Sequence, residues 1–317
     1  MSDWQPSASR DALLRRQALV DKLRLFFAER GVLEVETPML SRAATTDPQL
    51  ASNRVELPGE STPFYLHTSP EFFMKRLLAA GSGDIWQLGK VFRGAEQGRM
   101  HNPEFTLLEW YRQGFDDRRL MDEVAELLAV LLGGRLQQPP EFTSYAELFR
   151  QHLGVDALAS SDSDIAAALE GRVDLPGGLA RNELLDLAAS TLIYPALGKE
   201  RVCFVTGFPA DQAALARLNE DGRTARRFEA FVEGVELANG FYELCDAPEQ
   251  RRRCEAENRA RRQQGLAAMP IDEHFLAALE SGLPDCAGVA VGFDRVVMLA
   301  LGKADIAATM SFSFERV

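Results

Sequence analysis

Most strand-like segments of this chain follow one another through hairpins and loops instead of alternating regularly with helices. Two strands, predicted over 84–92 and 105–111, flank a polar loop rich in glycine, asparagine and proline, which is typical of a long hairpin. Further strands are predicted at 201–206, 228–237 and 288–293, and the last runs directly into a helix. Strands joined by hairpins pair antiparallel, and amphipathic helices then cover the sheet. The sequence therefore predicts an α+β fold with a predominantly antiparallel sheet flanked by helices.

Two other parts of the chain show helical periodicity. Residues 11–30 form an amphipathic pattern whose start Ser9 or Asp11 can cap. Residues 137–200 contain Ala- and Leu-rich helical stretches, broken by serine-rich and glycine-rich loops, and carry no chemical motif. We predict that this second region is a helical insertion in a single catalytic domain spanning 1–317.

Composition and charge exclude several classes of protein. The 317 residues include 35 Lys and Arg against 47 Asp and Glu, a net charge of −12, which argues against affinity for a long phosphate backbone. The four cysteines show no C-x-x-C spacing, so neither a disulfide framework nor a zinc site is expected. The longest apolar run, 127–132, is too short for a bilayer, and residues 1–10 lack the apolar core of a signal peptide. We expect a cytoplasmic protein with no membrane contact.

Glycine-rich phosphate-binding motifs are missing from the sequence. There is no G-x-x-x-x-G-K-[ST] loop, no G-x-G-x-x-G and no G-x-S-x-G elbow. If the protein binds a nucleotide, arginines and a metal ion must hold its phosphates.

Three islands of sequence stand out in a fixed order. They read V-E-T-P at 35–38, V-F-R followed by H-N-P-E-F and E-W-Y within 91–111, and G-V-A-V-G-F-D-R at 288–295. Together they resemble motifs 1, 2 and 3 of the class II aminoacyl-tRNA synthetases. Shorter segments resemble the lysyl branch of that class: S-P-E at 69–71, F-E at 228–229 and E-L-A-N-G-F-Y-E at 236–243.

The region before motif 1 indicates which lysyl-like family the sequence resembles. Lysyl-tRNA synthetases carry an N-terminal OB-fold that binds the anticodon, and the residues before position 35 are too few for its five strands. A lysyl-like core without that module resembles the elongation factor P–(R)-β-lysine ligase family. The resemblance implies ATP-dependent activation of (R)-β-lysine as an adenylate, transfer to a lysine side chain of elongation factor P, and a homodimer formed through motif 1. It makes tRNA an unlikely partner.

The resemblance assigns ATP binding to motifs 2 and 3. It implies that Arg93 clamps the α-phosphate and the substrate carboxylate, which a planar guanidinium can do with two parallel bonds. It implies that Arg295 stacks on adenine and reaches the terminal phosphates, while Phe105 covers the other face of the purine. These two arginines are the predicted catalytic residues. The predicted ATP-binding set comprises Arg93, Gly94, Ala95, Asn102, Phe105, Glu236, Leu237, Gly292 and Arg295.

Two further sets follow from the same resemblance. Glu229 and Glu236 are predicted to bind Mg²⁺ between the ATP phosphates, since carboxylate oxygens suit this ion. Their odd spacing along one predicted strand requires a bulge or bend between them, for which Gly234 is a plausible place. The predicted substrate-binding residues are Ser69, Pro70, Glu71, Tyr111 and Glu243, because carboxylates and a phenol suit the ammonium groups of a lysine-like amino acid.

Two positions depart from the family pattern. Motif 2 usually reads F-R-x-E, and here Ala95 replaces the glutamate while Glu96 follows one place later. This departure predicts weaker ATP binding or rescue by Glu96. Ala290 replaces the first glycine of motif 3, and we expect its methyl group to crowd an α-amino group and favour a β-amino acid.

Two alternative functions stay open at the level of sequence. One is a minimal lysyl-tRNA synthetase without an anticodon domain. The other is a catalytically silent relative that binds nucleotide or amino acid as a regulator, which the altered motif 2 favours. Retention of the two motif arginines and of the acidic residues argues against a silent site.

Overall fold

The computed structural model describes residues 4–94 and 96–317. Its helices are α1 (Arg10–Glu29), α2 (Glu71–Ala79), α3 (Asp117–Leu132), α4 (Tyr145–Leu153), α5 (Asp162–Leu169), α6 (Arg181–Ala188), α7 (Ala247–Gln263), α8 (Glu273–Gly282) and α9 (Phe293–Ala300). Its strands are β1 (Leu33–Glu34), β2 (Leu40–Ser41), β3 (Arg54–Val55), β4 (Phe64–Leu66), β5 (Ile85–Phe92), β6 (Glu104–Gln113), β7 (Glu141–Ser144), β8 (Cys203–Thr206), β9 (Arg227–Val232), β10 (Val235–Tyr242) and β11 (Cys286–Gly292).

The chain divides into two compact units. The first comprises Met1–Gly114 and Leu244–Val317, and the second comprises Phe115–Glu243. The region 137–200, predicted to be a helical insertion, lies within the second unit. The prediction of one catalytic domain with this insertion stays a prediction.

The first unit contains the predicted long hairpin. Strands β5 and β6 pair antiparallel from Ile85 opposite Tyr111 to Phe92 opposite Glu104. Strand β11 pairs antiparallel with the other edge of β6, and β1 lies parallel to β5. A separate small sheet has the order β2-β4-β3. Strand β6 is buried along most of its length because it lies between two strands in the middle of this sheet.

Helix α1 of the first unit begins and ends where the sequence indicates. The Oγ of Ser9 accepts a hydrogen bond from the Ala12 N–H at 3.2 Å, so Ser9 is the N-cap. Phe27, near the end of the helix, stacks on Trp86 with ring centroids 4.9 Å apart. This contact packs α1 against β5.

The second unit has strands in the order β10-β9-β8-β7, and only β7 and β8 are parallel. Helices α4, α5 and α6 pack on these strands through a continuous apolar core. Tyr145 and Phe149 of α4 stand next to each other in that core, with ring centroids 4.7 Å apart, and Phe231 of β9 also belongs to it. The predicted helical region therefore shares its core with part of the sheet.

One strand predicted from the sequence is two strands in the structure. Residues 228–237 were expected to form one strand with a bulge near Gly234, but the chain reverses at Glu233 and Gly234, both of which have positive φ. A Cβ atom at Gly234 would lie 2.8 Å from the Pro195 carbonyl oxygen, so only glycine fits this close approach. A bulge lies between Glu236 and Ala238, outside the interval from Glu229 to Glu236, and within that interval the chain turns at Gly234.

The α+β class and the flanking helices are confirmed, with two parallel strand pairs added to a mainly antiparallel arrangement. None of the helices in the described part of the chain combines the length and the apolar character that crossing a bilayer requires.

Candidate active site

The loop between β5 and β6 holds the motif 2 arginine at its base. The Arg93 N–H donates to the Pro103 carbonyl at 2.8 Å, and Gly98 and His101 exchange two backbone hydrogen bonds at 3.1 Å. These bonds fold the loop back on itself directly after β5. The arginine side chain therefore starts from a rigid strand end and not from a free loop.

The Arg93 guanidinium has one ionic partner and one aromatic partner. Its Nη1 is 3.4 Å from Oε1 of Glu96, and its Cζ lies 5.1 Å from the centre of the Phe105 ring. Its Nε is buried and has no hydrogen-bond acceptor among residues 4–94 and 96–317. A buried donor without an acceptor is costly, so this atom suits an anionic ligand such as a phosphate or carboxylate group.

Other predicted ATP contacts near Arg93 are held by the protein itself. The Gly94 N–H donates to the Ala51 carbonyl at 2.9 Å, and a Cβ at position 94 would lie 2.5 Å from the Asn53 Oδ1. The Asn102 side chain donates to the Glu104 carbonyl at 2.6 Å and accepts from the Phe314 N–H at 2.8 Å. Gly94 and Asn102 thus shape the loop, and their contact with ATP stays a prediction. Ala95 lies outside the described residues.

The motif 3 arginine is connected to the same loop. Arg295 lies on α9, where its Nε donates to the Met100 carbonyl at 3.2 Å and its Nη2 donates to the His101 Nε2 at 2.7 Å. Guanidinium can only donate, so the imidazole nitrogen accepts and must be unprotonated. Gly292 is the N-cap of α9, and a Cβ at this position would be in ordinary contact with the aliphatic part of Arg295.

A second group of predicted residues forms what we call the carboxylate cluster, defined as Ser69, Glu71, Lys75, Glu109 and Tyr111. Oε1 of Glu109 accepts from the Tyr111 hydroxyl at 2.6 Å, and its Oε2 accepts from the Ser69 Oγ at 2.8 Å. The Ser69 Oγ also accepts from the Glu71 N–H at 3.0 Å. Glu71 pairs with Lys75 at 2.6 Å. The structure therefore brings three of the predicted substrate-binding residues together around Glu109.

Pro70 supports the carboxylate cluster through its backbone. It is the N-cap residue of α2, and its carbonyl accepts from the Met74 N–H at 3.0 Å. Its predicted contact with substrate stays a prediction.

Glu109 is the most perturbed carboxyl group of this cluster. Its pKa is raised to about 7, because burial and the neighbouring Glu71 raise it more than the Tyr111 and Ser69 hydroxyls and Lys75 lower it. A carboxyl group whose pKa is raised in this way suits an ammonium ligand, because the positive charge of the ligand stabilises the ionised form.

The hairpin of β9 and β10 carries the predicted metal ligands. Glu229 lies opposite Asn239, and Glu236 lies opposite Phe231. Glu236 is paired with Phe231, which lies two residues from Glu229 on β9, so the two glutamates share a face of the sheet in spite of their odd spacing. The turn at Glu233 and Gly234, and not a bulge, meets the expected geometric requirement.

A buried arginine accompanies the two glutamates. Arg227 contacts Glu229, donates to the Gln212 carbonyl at 2.8 Å and donates to the Asn239 Oδ1 at 3.2 Å. The pKa of Glu229 is raised to about 7, because burial and repulsion by Glu236 together outweigh the opposing effect of Arg227. A cation between the two carboxylates would relieve that repulsion.

The donor set on this hairpin fits magnesium in part. Two carboxylates are hard oxygen ligands, and Mg²⁺ is commonly held by one or two carboxylates together with phosphate oxygens and water. Within residues 4–94 and 96–317, no group of three or more His, Cys, Asp or Glu side chains is arranged to hold a metal ion. The protein thus offers a partial site that a bound nucleotide would have to complete.

The remaining predicted residues of the second unit lie on β10 or just after it. Leu237 is the bulged residue and is buried, so it shapes the strand. Glu243 is fully buried, and its carbonyl accepts from the Arg217 Nε at 2.7 Å. The ligand contacts predicted for both residues stay predictions.

Several residues with evident roles were not in the predicted sets. Glu109 could have been found, because it lies two residues before Tyr111 on a strand and therefore faces the same way. His101 stands in the quoted motif, but its bond to Arg295 joins residues far apart in the chain. For Lys75 and Arg227 the sequence offers only the spacing to a glutamate. Glu71 lies one helical turn before Lys75, and Glu229 lies two residues after Arg227 on a strand.

Comparison with known proteins agrees with this geometry. The family model of class II tRNA synthetases (D, K and N) matches residues 2–316. The chain belongs to the class II tRNA synthetase family. It is 49% identical over 321 residues to a protein of Salmonella arizonae named elongation factor P–(R)-β-lysine ligase, covering 99% of this chain and 98% of that protein. Proteins of the same name from Salmonella paratyphi A and Salmonella schwarzengrund are also 49% identical, over 323 residues with the same coverage.

The prediction that Glu96 replaces the glutamate missing at position 95 can be tested by substitution. We expect Glu96→Ala to raise KM for ATP by about 2- to 5-fold, because Arg93 loses an ionic partner that is 28% exposed. Adding Ala95→Glu to that variant should lower KM again. Gln97→Ala, at the neighbouring exposed position, serves as the control. An unchanged KM for ATP in Glu96→Ala would contradict this role.

Proposed function

We propose that this protein activates (R)-β-lysine with ATP and transfers the aminoacyl group to a lysine side chain of elongation factor P. The family supports ATP-dependent activation of an amino acid, and relatives named for this ligase reaction match nearly the whole chain. The observation that carries the proposal is the carboxylate cluster, whose buried Glu109 suits an ammonium group, together with the unsatisfied Nε of Arg93, which suits an anion.

In the first step a carboxylate oxygen of the amino acid attacks the α-phosphorus of ATP, forming the acyl–phosphate bond as pyrophosphate leaves. Arg93 would neutralise the α-phosphate and the attacking carboxylate, and Arg295 would bind the nucleotide. The carboxylate cluster would hold an amino group of the substrate and so fix its orientation. Glu243 of the second unit is assigned to substrate binding by the motif resemblance alone.

In the second step the ε-amino nitrogen of the acceptor lysine attacks the acyl carbon of the adenylate. The new amide bond forms, the acyl–phosphate bond breaks, and AMP leaves. No side chain of the protein needs to carry the acyl group. The step requires the acceptor amine to lose a proton, and we assign this proton to no particular residue.

Magnesium completes the proposed chemistry by neutralising charge on the departing pyrophosphate. Glu229 and Glu236 would hold the ion, with Arg227 keeping Glu229 in place. We also infer that the protein works in the cytoplasm, where its proposed acceptor, a translation factor, is found.

The first unit also suggests a homodimer. Leu14 and Leu25 of α1 and Leu33 of β1 are more than half exposed, which is unusual for leucine side chains clustered in one region of sequence. We propose that this apolar surface is covered by a second copy of the chain.

The dimer proposal predicts a change in mass on substitution. Leu33→Glu together with Leu25→Glu should convert a dimer into a folded monomer, because two carboxylates would become buried without partners. Light scattering coupled to gel filtration measures the mass. Val130→Glu, at an exposed apolar position of α3, is the control and should leave the mass unchanged. A wild-type protein that is already monomeric would refute the proposal.

ATP–pyrophosphate exchange with α-lysine and with (R)-β-lysine in parallel tests the proposed function. Strong preference for (R)-β-lysine supports it, and elongation factor P is then the acceptor to add. Preference for α-lysine would indicate a minimal lysyl-tRNA synthetase instead. No exchange with either amino acid would indicate a silent relative.

The position of Ala290 gives a specific prediction about the substrate isomer. Ala290 on β11 lies directly opposite Glu109 on β6, so its methyl group stands on the same face as that carboxylate. We expect Ala290→Gly to raise kcat/KM for α-lysine by about 10-fold or more, because one methyl group is removed beside the Glu109 carboxylate. Ala287→Gly on the opposite face of the same strand is the control. No gain with α-lysine would refute the role of this methyl group.

A further inference from the structure

A fully buried lysine belongs to the carboxylate cluster, and neither the motifs nor the proposed mechanism gives it a role. Lys75 lies one helical turn after Glu71 on α2, with its Nζ 2.6 Å from Oε1 of Glu71. The other buried residues of this helix, Met74 and Leu78, are apolar. Because lysine is almost never fully buried, its presence on the apolar face of α2 requires a reason beyond packing.

Charge balance supplies one reason. Glu71 and Glu109 are two carboxylates, linked through Ser69, and Lys75 is one ammonium group, so the cluster carries one net negative charge when all three are ionised. One ammonium group of a ligand brings that charge to zero. Without Lys75 the same two carboxylates would carry two negative charges in a buried place, and one of them would retain a proton.

The two carboxylates and the lysine differ in accessibility. The Glu71 side chain is 14% exposed, whereas that of Lys75 is not exposed at all. Phe275 of α8 covers the lysine, with its ring centroid 5.8 Å from Nζ, and itself stacks on Phe72 at 4.5 Å. A ligand can therefore reach the Glu71 carboxylate but not the Lys75 ammonium, so the lysine must act through its acidic neighbours.

Other charged groups around the cluster do not account for this balance. On the two strands next to β6, the residues opposite Glu109 are Gln87 and Ala290, which are uncharged. The titratable residues near or on α8 are engaged elsewhere or exposed: Asp272 caps the helix, Glu273 pairs with Arg251, and His274 and Glu280 are exposed. Within the cluster, Glu71 disfavours ionisation of Glu109 and Lys75 favours it.

We propose that Lys75 is a positioning residue that balances the charge of Glu71 and Glu109, so that the cluster accepts one ammonium group of the amino acid. The inference rests on the proposed function, since it takes the amino acid to bind at this cluster. The Lys75 Nζ donates to Oε1 of Glu71, and this hydrogen bond orients the Glu71 carboxylate on α2.

The test is the pH dependence of kcat/KM for the amino acid in pyrophosphate exchange. We expect Lys75→Met to move the fall of kcat/KM at low pH upward by about one pH unit, and so to lower kcat/KM at pH 7 by about 5-fold. The loss should fall on KM for the amino acid and not on KM for ATP. Lys75→Arg, which keeps the charge, should restore the wild-type pH dependence.

Arg261→Met is the matched control, because Arg261 is another buried cation of the first unit and binds only backbone carbonyls in the contacts described for it, those of Ala267 and Asp47. We expect it to reduce the melting temperature without moving the pH dependence. An unshifted pH dependence in folded Lys75→Met would show that Lys75 is merely structural and would overturn the inference alone. Absence of exchange in the wild type would overturn the proposed function as well.

A second variant decides the matter if Lys75→Met does not fold. Lys75→Met combined with Glu109→Gln restores a net charge of one negative unit, so it should fold if charge balance is what the cluster requires. Failure of this double variant to fold would show that the packing of the lysine, and not its charge, is needed, and would overturn the inference.

Discussion

Arg93→Ala is expected to reduce amino-acid-dependent pyrophosphate exchange by about 100- to 1000-fold, the loss that follows removal of one donor aimed at charge developing in a transition state. The side chain is held between Glu96 and Phe105, and its buried Nε lacks an acceptor among the described residues. The guanidinium is thus pre-oriented, and its Nε–H can donate to a ligand. The loss should appear in kcat as well as in KM, because the α-phosphate gains charge as the carboxylate attacks.

Arg93→Lys separates charge from geometry at this position. An ammonium group retains the positive charge but cannot form two parallel bonds or keep the same contact with Phe105, so we expect only partial recovery. Arg99→Ala is the control, because Arg99 is an exposed arginine of the same loop and donates to the Ala304 carbonyl. If Arg93→Ala retained wild-type kcat, the assignment of this residue to the α-phosphate would be wrong.

Local patterns in the sequence were sufficient to predict the strands and helices that carry the motifs. The hairpin of β5 and β6 could be predicted because a polar loop separates two apolar runs, and the cap of α1 because serine precedes its first turn. The turn at Glu233 and Gly234 was missed for a simple reason. The turn is only two residues long and apolar residues flank it directly at Val232 and Val235, so the segment reads as one strand.

Strand partners could not be predicted in the same way. The parallel pairs of β1 with β5 and of β7 with β8 join segments that are distant in the chain, and no local pattern specifies such a partner. The composition of each strand is compatible with either direction of pairing. The predicted sheet was therefore right in class and incomplete in topology.

The candidate site, too, was predicted only where its residues belong to local motifs. Motif resemblance was enough to name Arg93, Glu71 and Tyr111, but Glu109 becomes important only because Ser69, 40 residues away, donates to it. The bond between Arg295 and His101 spans 194 residues. Such contacts depend on tertiary structure, and spacing along the chain does not reveal them.

Glu109→Gln is expected to raise KM for the amino acid by about 100-fold, because it removes a buried carboxylate from a charge-assisted hydrogen bond. The substitution preserves shape, since the amide oxygen can accept from Tyr111 and the amide nitrogen can donate to Ser69. In the wild type kcat/KM should fall below pH 7, as Glu109 takes up a proton at its raised pKa of about 7. In the variant that fall should disappear, since glutamine does not titrate.

The same substitution should stabilise the fold at high pH. The pKa of Glu109 is raised from 4.5 to about 7 on folding, so the folded state binds more protons than the unfolded state between these values. Stability therefore falls as pH rises through that window and stays lower above it. Glutamine does not titrate and avoids this loss. Between pH 5 and pH 8 we expect the unfolding free energy of the wild type to fall by about 1–3 kcal/mol more than that of Glu109→Gln.

Urea unfolding at pH 5 and pH 8, together with the pH profile of exchange, measures both effects on one pair of proteins. Glu104→Gln is the control, because Glu104 is an exposed carboxylate of the same strand, 3.5 Å from Lys90, and it should change neither profile. A fall in kcat/KM that persists near pH 7 in Glu109→Gln would assign it to another group. A more stable but weakly binding variant would show that the buried carboxylate is retained for substrate recognition at the expense of stability.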